Sequence, residues 1–207
     1  MLEKELSFAD LSISLSELYE AMGYADAVPD EAVEKEVRGV LGRVEAVTSP
    51  RFCFFISGGE LDESKDSLSV GDTCFSIGKI ITRQLRGSES FAFFAATAGT
   101  GFERFQHTLL QEGDMVKVYI ADAIGSVIAE KTADCMEIAL DEYIRDRGVE
   151  AYQPFQSWIL RLACVGAKEI IPFISFSGTL RHPVDRFQFD ASYKIGQWSN
   201  RPGGWCP

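Results

Sequence analysis

Asp114-Met-Val-Lys-Val-Tyr-Ile-Ala-Asp-Ala-Ile-Gly-Ser-Val-Ile-Ala-Glu-Lys-Thr-Ala-Asp-Cys-Met-Glu-Ile-Ala-Leu-Asp-Glu-Tyr-Ile-Arg-Asp-Arg147 contains no proline. Val116, Tyr119, Ile120, Ala123, Ile124, Val127 and Ile128 recur at three- and four-residue steps, which predicts one long helix over 114–147 with a buried stripe. Asp114 is placed to act as its N-cap, and Gly148 stands where a C-cap glycine belongs. Asp122, Ser126 and Glu130 are spaced i, i+4, i+8 and so draw one polar line down one face. Their neighbours, Ala121, Ala123, Ile124, Gly125, Val127, Ile128 and Ala129, are small or apolar, as in a helix covered on most sides. Gly125 costs about 1 kcal/mol against alanine in a helix interior, so its presence predicts a close approach of another group. A carboxylate in such surroundings needs a partner, or its pKa rises. Two readings fit: the carboxylates cap or pair with a neighbouring element, or they face a ligand cleft.

Working outward, the chain has 207 residues, 46% of them hydrophobic, enough for one domain or one domain with an appendage. The net charge of -11 speaks against nucleic acid as a partner. No apolar run reaches the ~18 residues of a membrane span, and the N-terminus lacks a signal-peptide pattern. The five cysteines, at 53, 74, 135, 164 and 206, form no Cys-x-x-Cys pair, which suits reduced thiols in a cytoplasmic protein. With only His107 and His182 present, a histidine-based metal site or catalytic triad has little support.

Residues 6–23 read as an opening strand and a short helix starting near Ser16 and stopped by Gly23. Residues 29–47 read as a second helix with Val33, Val37, Val40, Leu41 and Val44 inward. A short strand is expected over 52–57, a polar turn region over 58–67, and a strand over 68–75 with a turn at Gly71-Asp72. Residues 77–85 read as a helix with Ile77, Ile80, Ile81 and Leu85 inward. An apolar strand over 90–97 runs through the loop Thr97-Ala-Gly-Thr-Gly101 into a helix over 102–112. That loop is either a simple strand-to-helix turn or a set of backbone N–H groups for an anion. Arg104 stands where the third glycine of a dinucleotide fingerprint would fall. The expected class is α+β: an antiparallel or mixed sheet packed with helices, the long helix central.

Three segments in order carry a family resemblance: Phe75-Ser-Ile-Gly-Lys-Ile-Ile81, Ala96-Thr-Ala-Gly-Thr-Gly101, and Asp122-Ala-Ile-Gly-Ser-Val-Ile-Ala-Glu130. Over roughly residues 6–150 the chain resembles the stand-alone relatives of the activation domain of cobalamin-dependent methionine synthase. The resemblance implies a module that binds S-adenosylmethionine and docks on a corrinoid-binding methyltransferase protein, whose cobalamin is remethylated with an electron from a flavodoxin-like donor. It implies Glu130 as a ligand contact, a carboxylate able to accept a bond from the ammonium group and offset the sulfonium charge. Asp122 and Ser126 share that face, and Thr97 begins the adjoining loop. No catalytic acid, base or nucleophile and no metal ligand is implied.

After about residue 151 the pattern changes. Residues 1–151 hold 14 Lys and Arg against 28 Asp and Glu; residues 152–207 hold 6 against 3, with all three tryptophans and five of the seven prolines. The family's Arg-x-x-Pro-Gly-Tyr segment is missing there. Reading the codons of residues 154–171 one base later permits Arg-Phe-Ser-Pro-Gly-Tyr, and the same offset over 181–198 permits Pro-Ile-Lys-Ser-Val-Ser-Gly. The expectation is an activation-domain-like body over 1–151 and an aberrant, out-of-frame tail over 152–207. Such a tail is expected to pack poorly and expose apolar surface. Arg181, His182, Cys164 and Cys206 then owe their places to the frame. A non-enzymatic docking partner of a corrinoid protein and a non-functional frameshifted product are the competing readings.

Overall fold

The computed structural model describes residues 1–24, 27–88 and 90–147. The tail, with the expectations placed on it and on Gly148, lies outside the described residues.

The fold is α+β, built on a three-stranded antiparallel sheet. Strand β1 (Leu2–Glu5) pairs with β2 (Arg51–Gly58), which pairs with β6 (Ser90–Thr97). A second antiparallel sheet joins β3 (Glu60–Asp62), β4 (Ser67–Val70) and β5 (Thr73–Ser76). Strand β6 and the first half of β2 are buried on both faces, which explains the unbroken apolar run of β6. Phe52, Phe54, Ala92, Phe94 and Ala96 face a core shared with the helices. Cys53, Phe91, Phe93 and Ala95 face a smaller core closed by Leu68, Val70 and Phe75 of the second sheet and by α3 (Gly78–Gln84). The register sets Phe55 opposite Phe93, and their rings stack at 5.1 Å.

The helical layer comprises α1 (Leu15–Ala21), α2 (Glu31–Val47), α4 (Thr100–Glu112) and α5 (Met115–Arg145). The long helix is central: it packs on β2 and β6, on a 3-10 turn at Phe8–Leu11, and on α1, α2 and α4. At 31 residues it is about 46 Å long. Asp114 is its N-cap, its carboxylate accepting the Lys117 N–H at 3.1 Å. Its far end reaches the first sheet, where the Tyr143 and Phe54 rings meet edge to face at 5.4 Å.

Several sequence expectations are corrected. The opening strand lies at Leu2–Glu5, ahead of residue 6, because Leu2 and Lys4 pair with Phe54 and Phe52. Helix α1 begins at Leu15, next to the expected Ser16, with Ser14 as its N-cap and Glu17 closing a capping box with it. The polar region at 58–67 contains β3, an edge strand of three residues, Glu60-Leu-Asp62, too short to show alternation. The turn at Gly71-Asp72 is present and divides β4 from β5. On α3 Ile80 points outward, 68% exposed, while Ile77, Ile81 and Leu85 are buried. Val116 and Tyr119 are 60% and 53% exposed, so the buried stripe of α5 starts at Ile120. Helix α5 ends at Arg145 with Asp146 as C-cap. No helix among the described residues is long and apolar enough to cross a membrane.

Candidate functional site

Along the middle of α5 one strip meets solvent. Ala121, Ala123, Ile124, Gly125, Val127, Ile128 and Ala129 are all buried. Asp122 and Glu130 are exposed and Ser126 is half-buried between them. The polar line expected from the i, i+4, i+8 spacing is therefore the open side of a helix covered elsewhere. Both carboxylates meet solvent, which corrects the expectation of carboxylates enclosed by apolar surroundings.

Helix α4 forms one flank of the strip. The Phe102 ring lies against Gly125, where an added Cβ would meet Phe102 Cε1 at 2.6 Å and Cζ closer still. This is the close approach that a glycine in mid-helix anticipates. One turn along α4, the Gln106 amide Nε2 donates to Asp122 Oδ1 at 3.2 Å. The contacts Phe102 with Gly125 and Gln106 with Asp122 run in opposite chain directions, so α4 and α5 are antiparallel. Neither Phe102 nor Gln106 is singled out by the sequence pattern. Their i, i+4 spacing is the one signal that they share a face.

Helix α1 forms the other flank. Lys131 Nζ forms an ion pair with Glu17, and the Tyr119 hydroxyl donates to the Met22 carbonyl at 2.8 Å. On the helical wheel of α5, Gly125 and Lys131 fall on opposite sides of the Asp122–Ser126–Glu130 line. The strip thus runs between α4 and α1. Glu17 is held down to about 2 by the Lys131 ammonium, with help from the Ser14 N–H and hydroxyl, and Lys131 is raised by the same carboxylate. The pair fixes the N-terminal end of α1 to α5 beside the strip.

Thr97 lies elsewhere. The β2–β6 register puts it opposite Arg51 in the series Cys53–Ala95 and Phe55–Phe93, the sheet face turned away from α5. Its Oγ1 accepts the Gly99 N–H at 3.1 Å, shaping the turn into α4. Both glycines of the loop have packing reasons. A Cβ on Gly99 would meet the Ser49 carbonyl oxygen at 2.6 Å, and one on Gly101 would run into the Val47 carbonyl oxygen. The loop is accordingly a tight strand-to-helix turn seated on the end of α2. The structure brings Asp122, Ser126 and Glu130 together and leaves Thr97 on another face.

Other chemistry is sparse. Among the described residues no group of three or more His, Cys, Asp or Glu side chains is arranged to hold a metal ion. Cys53, Cys74 and Cys135 are free thiols. Burial pushes Cys53 up to about 11, which leaves it protonated and inert at neutral pH.

No protein-family model matches the chain, and no curated protein does. Among solved structures it is similar to a crystal structure of the MetH reactivation domain bound to AdoHcy, with 14% sequence identity and a TM-score of 0.49. The match covers 74% of this chain and 63% of that one, so the chain spans less than two thirds of that neighbour's length.

Proposed function

We propose that the chain is a module that binds S-adenosylmethionine along the Asp122–Ser126–Glu130 strip and serves the reductive remethylation of a corrinoid-dependent methyltransferase. The observation that carries the reading is the strip itself: two carboxylates and a hydroxyl on the one open side of an otherwise covered helix. The ordered motif resemblance around Phe75–Ile81, Ala96–Gly101 and Asp122–Glu130 supports it. The residues suit the ligand. Glu130 and Asp122 offer acceptors to an ammonium group and negative charge to a sulfonium, and Ser126 between them offers a hydroxyl. The bound ligand supplies a transferable methyl group; the partner's cobalamin supplies the metal chemistry. The chain's own residues bind and orient. Thr97 acts only indirectly, by shaping the turn that begins α4. The partner would be a corrinoid-binding protein, with a flavodoxin-like electron donor and a cytoplasmic setting.

The strip is open, and exposed ion pairs contribute only about 0–1 kcal/mol each. Affinity of the chain as written is therefore expected to be weak, with a Kd of about 0.1–1 mM, or about -4 to -5.5 kcal/mol. Residues 152–207 belong to this reading as an out-of-frame translation of the segment that would complete the site. The test is calorimetric titration of S-adenosylhomocysteine into the full chain and into Glu130→Gln. Measurable binding weakened about threefold to tenfold by the substitution supports the reading. Absence of binding at millimolar ligand overturns it in favour of a docking partner or a non-functional product.

A further inference from the structure

Helix α1 turns Leu18, Tyr19 and Met22 into the core against α5. Tyr19 is 7% exposed, and its hydroxyl is buried with no hydrogen-bond partner among the described residues. Its ring has neighbours: it meets the Tyr24 ring edge to face at 6.5 Å and belongs to the main core. Phenylalanine would fill that place equally well, and an unsatisfied buried hydroxyl lowers stability. Packing accounts for the ring and leaves the hydroxyl unexplained.

The position of that hydroxyl follows from two ties between α1 and α5. Glu17 is fixed to Lys131, and Met22 to Tyr119. Between them α1 advances while α5 runs back, so the helices are antiparallel. At equal rise the Glu17 tie puts Tyr19 level with about residue 129 of α5 and the Met22 tie with about residue 122, the two ends of the polar strip. A buried phenol without a partner among the described residues therefore stands on the α1 flank within the length of the strip.

We propose that the Tyr19 hydroxyl is a ligand-binding group of the α5 strip, donating to an acceptor on the bound nucleoside, a ribose oxygen or a ring nitrogen. This rests on the reading of the strip as a site for S-adenosylmethionine. Asp122 and Glu130 take the cationic end of the ligand in the open part of the strip. Tyr19 takes an uncharged acceptor in its buried margin, where a hydrogen bond is not screened by water. The three groups lie on two helices, α1 and α5, held together by the Glu17–Lys131 pair. Ligand and pair thus draw the same two helices together.

The test is Tyr19→Phe in the full chain, which removes one oxygen and keeps the ring. Calorimetry with S-adenosylhomocysteine measures affinity, and thermal unfolding without ligand measures stability. The expected result is an affinity about tenfold weaker, with an unliganded Tm equal to or above that of the parent. Equal affinities in a parent that binds overturn this inference and leave the strip reading intact. A lower unliganded Tm also overturns it, since the hydroxyl would then have a structural partner. A parent chain that binds no S-adenosylhomocysteine removes the strip reading and this inference with it.

Discussion

Replacing Gly125 by alanine separates two opposed effects on α5. In an exposed helix interior the change would stabilise by about 1 kcal/mol, because glycine carries the larger backbone entropy loss. Here the new methyl group would fall 2.6 Å from Phe102 Cε1 and closer still to Cζ. Ordinary carbon contacts lie at about 3.5–4.0 Å, so the ring has to retreat by about 1 Å. Phe102 is 1% exposed and packed in the main core, with no room to swing into solvent. Overpacking of this kind costs about 1–3 kcal/mol. With the propensity gain subtracted, the expected net effect is a loss of up to about 2 kcal/mol, or up to about 6 °C in Tm for a body of this size. Thermal and urea unfolding of Gly125→Ala measure it. Adding Phe102→Leu to make room should recover part of the loss, giving a coupling of at least about 0.5 kcal/mol in a double-mutant cycle. A stabilised Gly125→Ala variant, or additive effects in the cycle, would refute the placement of α4 against the flank of the strip.

The Glu17–Lys131 pair predicts a pH dependence. The folded pKa of Glu17, about 2, lies below its ordinary 4.5, so its contribution is complete above about pH 5 and is lost as the pH falls through 4.5 toward 2. At face value the displacement corresponds to about 3 kcal/mol; with side chains 36% and 28% exposed, screening reduces this to about 1 kcal/mol. Lys131→Met should lower stability by that amount at pH 7 and flatten the stability profile between pH 5 and 3, as read by urea unfolding. An unchanged profile would show that the pair does not tie α1 to α5. The out-of-frame reading of the tail predicts an added or missing base between the codons for about residues 148 and 154. Sequencing both genomic DNA and transcript checks this, and a base sequence that encodes the chain as written in both would contradict it.

Elements whose burial leaves a periodic trace were legible before the structure. Helix α5, helix α2 and strand β6 are long and strongly patterned, and Asp114 caps where its side chain and position require. The unbroken Phe91-Ala-Phe-Phe-Ala-Ala96 run marked a strand, and the structure shows it covered on both faces. Strands β1 and β3 were not legible as such, because edge strands of four and three residues, charged at most positions, are too short for alternation to show. Ile80, Val116 and Tyr119 were misplaced for a related reason: helical periodicity marks apolar positions, and a side chain beyond the reach of the neighbouring layer still fits the period. Tyr119 in addition uses its hydroxyl on Met22, an engagement no local pattern encodes.

The candidate strip was legible as a polar line in apolar surroundings, and Gly125 as a point of close approach. Which elements flank the strip was not, since Phe102, Gln106, Glu17 and Tyr19 meet α5 through tertiary contacts. Thr97 shows the converse: a residue close in motif order falls on the opposite face of the sheet because strand alternation, rather than sequence proximity, decides where its side chain goes.

The most direct measurement is a titration of S-adenosylhomocysteine into the isotope-labelled chain, followed by amide chemical shifts. Ligand-dependent shifts concentrated at Asp122, Ser126 and Glu130, with Gln106 and Tyr19 on the flanks, are the predicted result. Shifts confined to the opposite side of the sheet, around α3 and β4, or no shifts at millimolar ligand, would contradict the assignment of the α5 strip as the binding site.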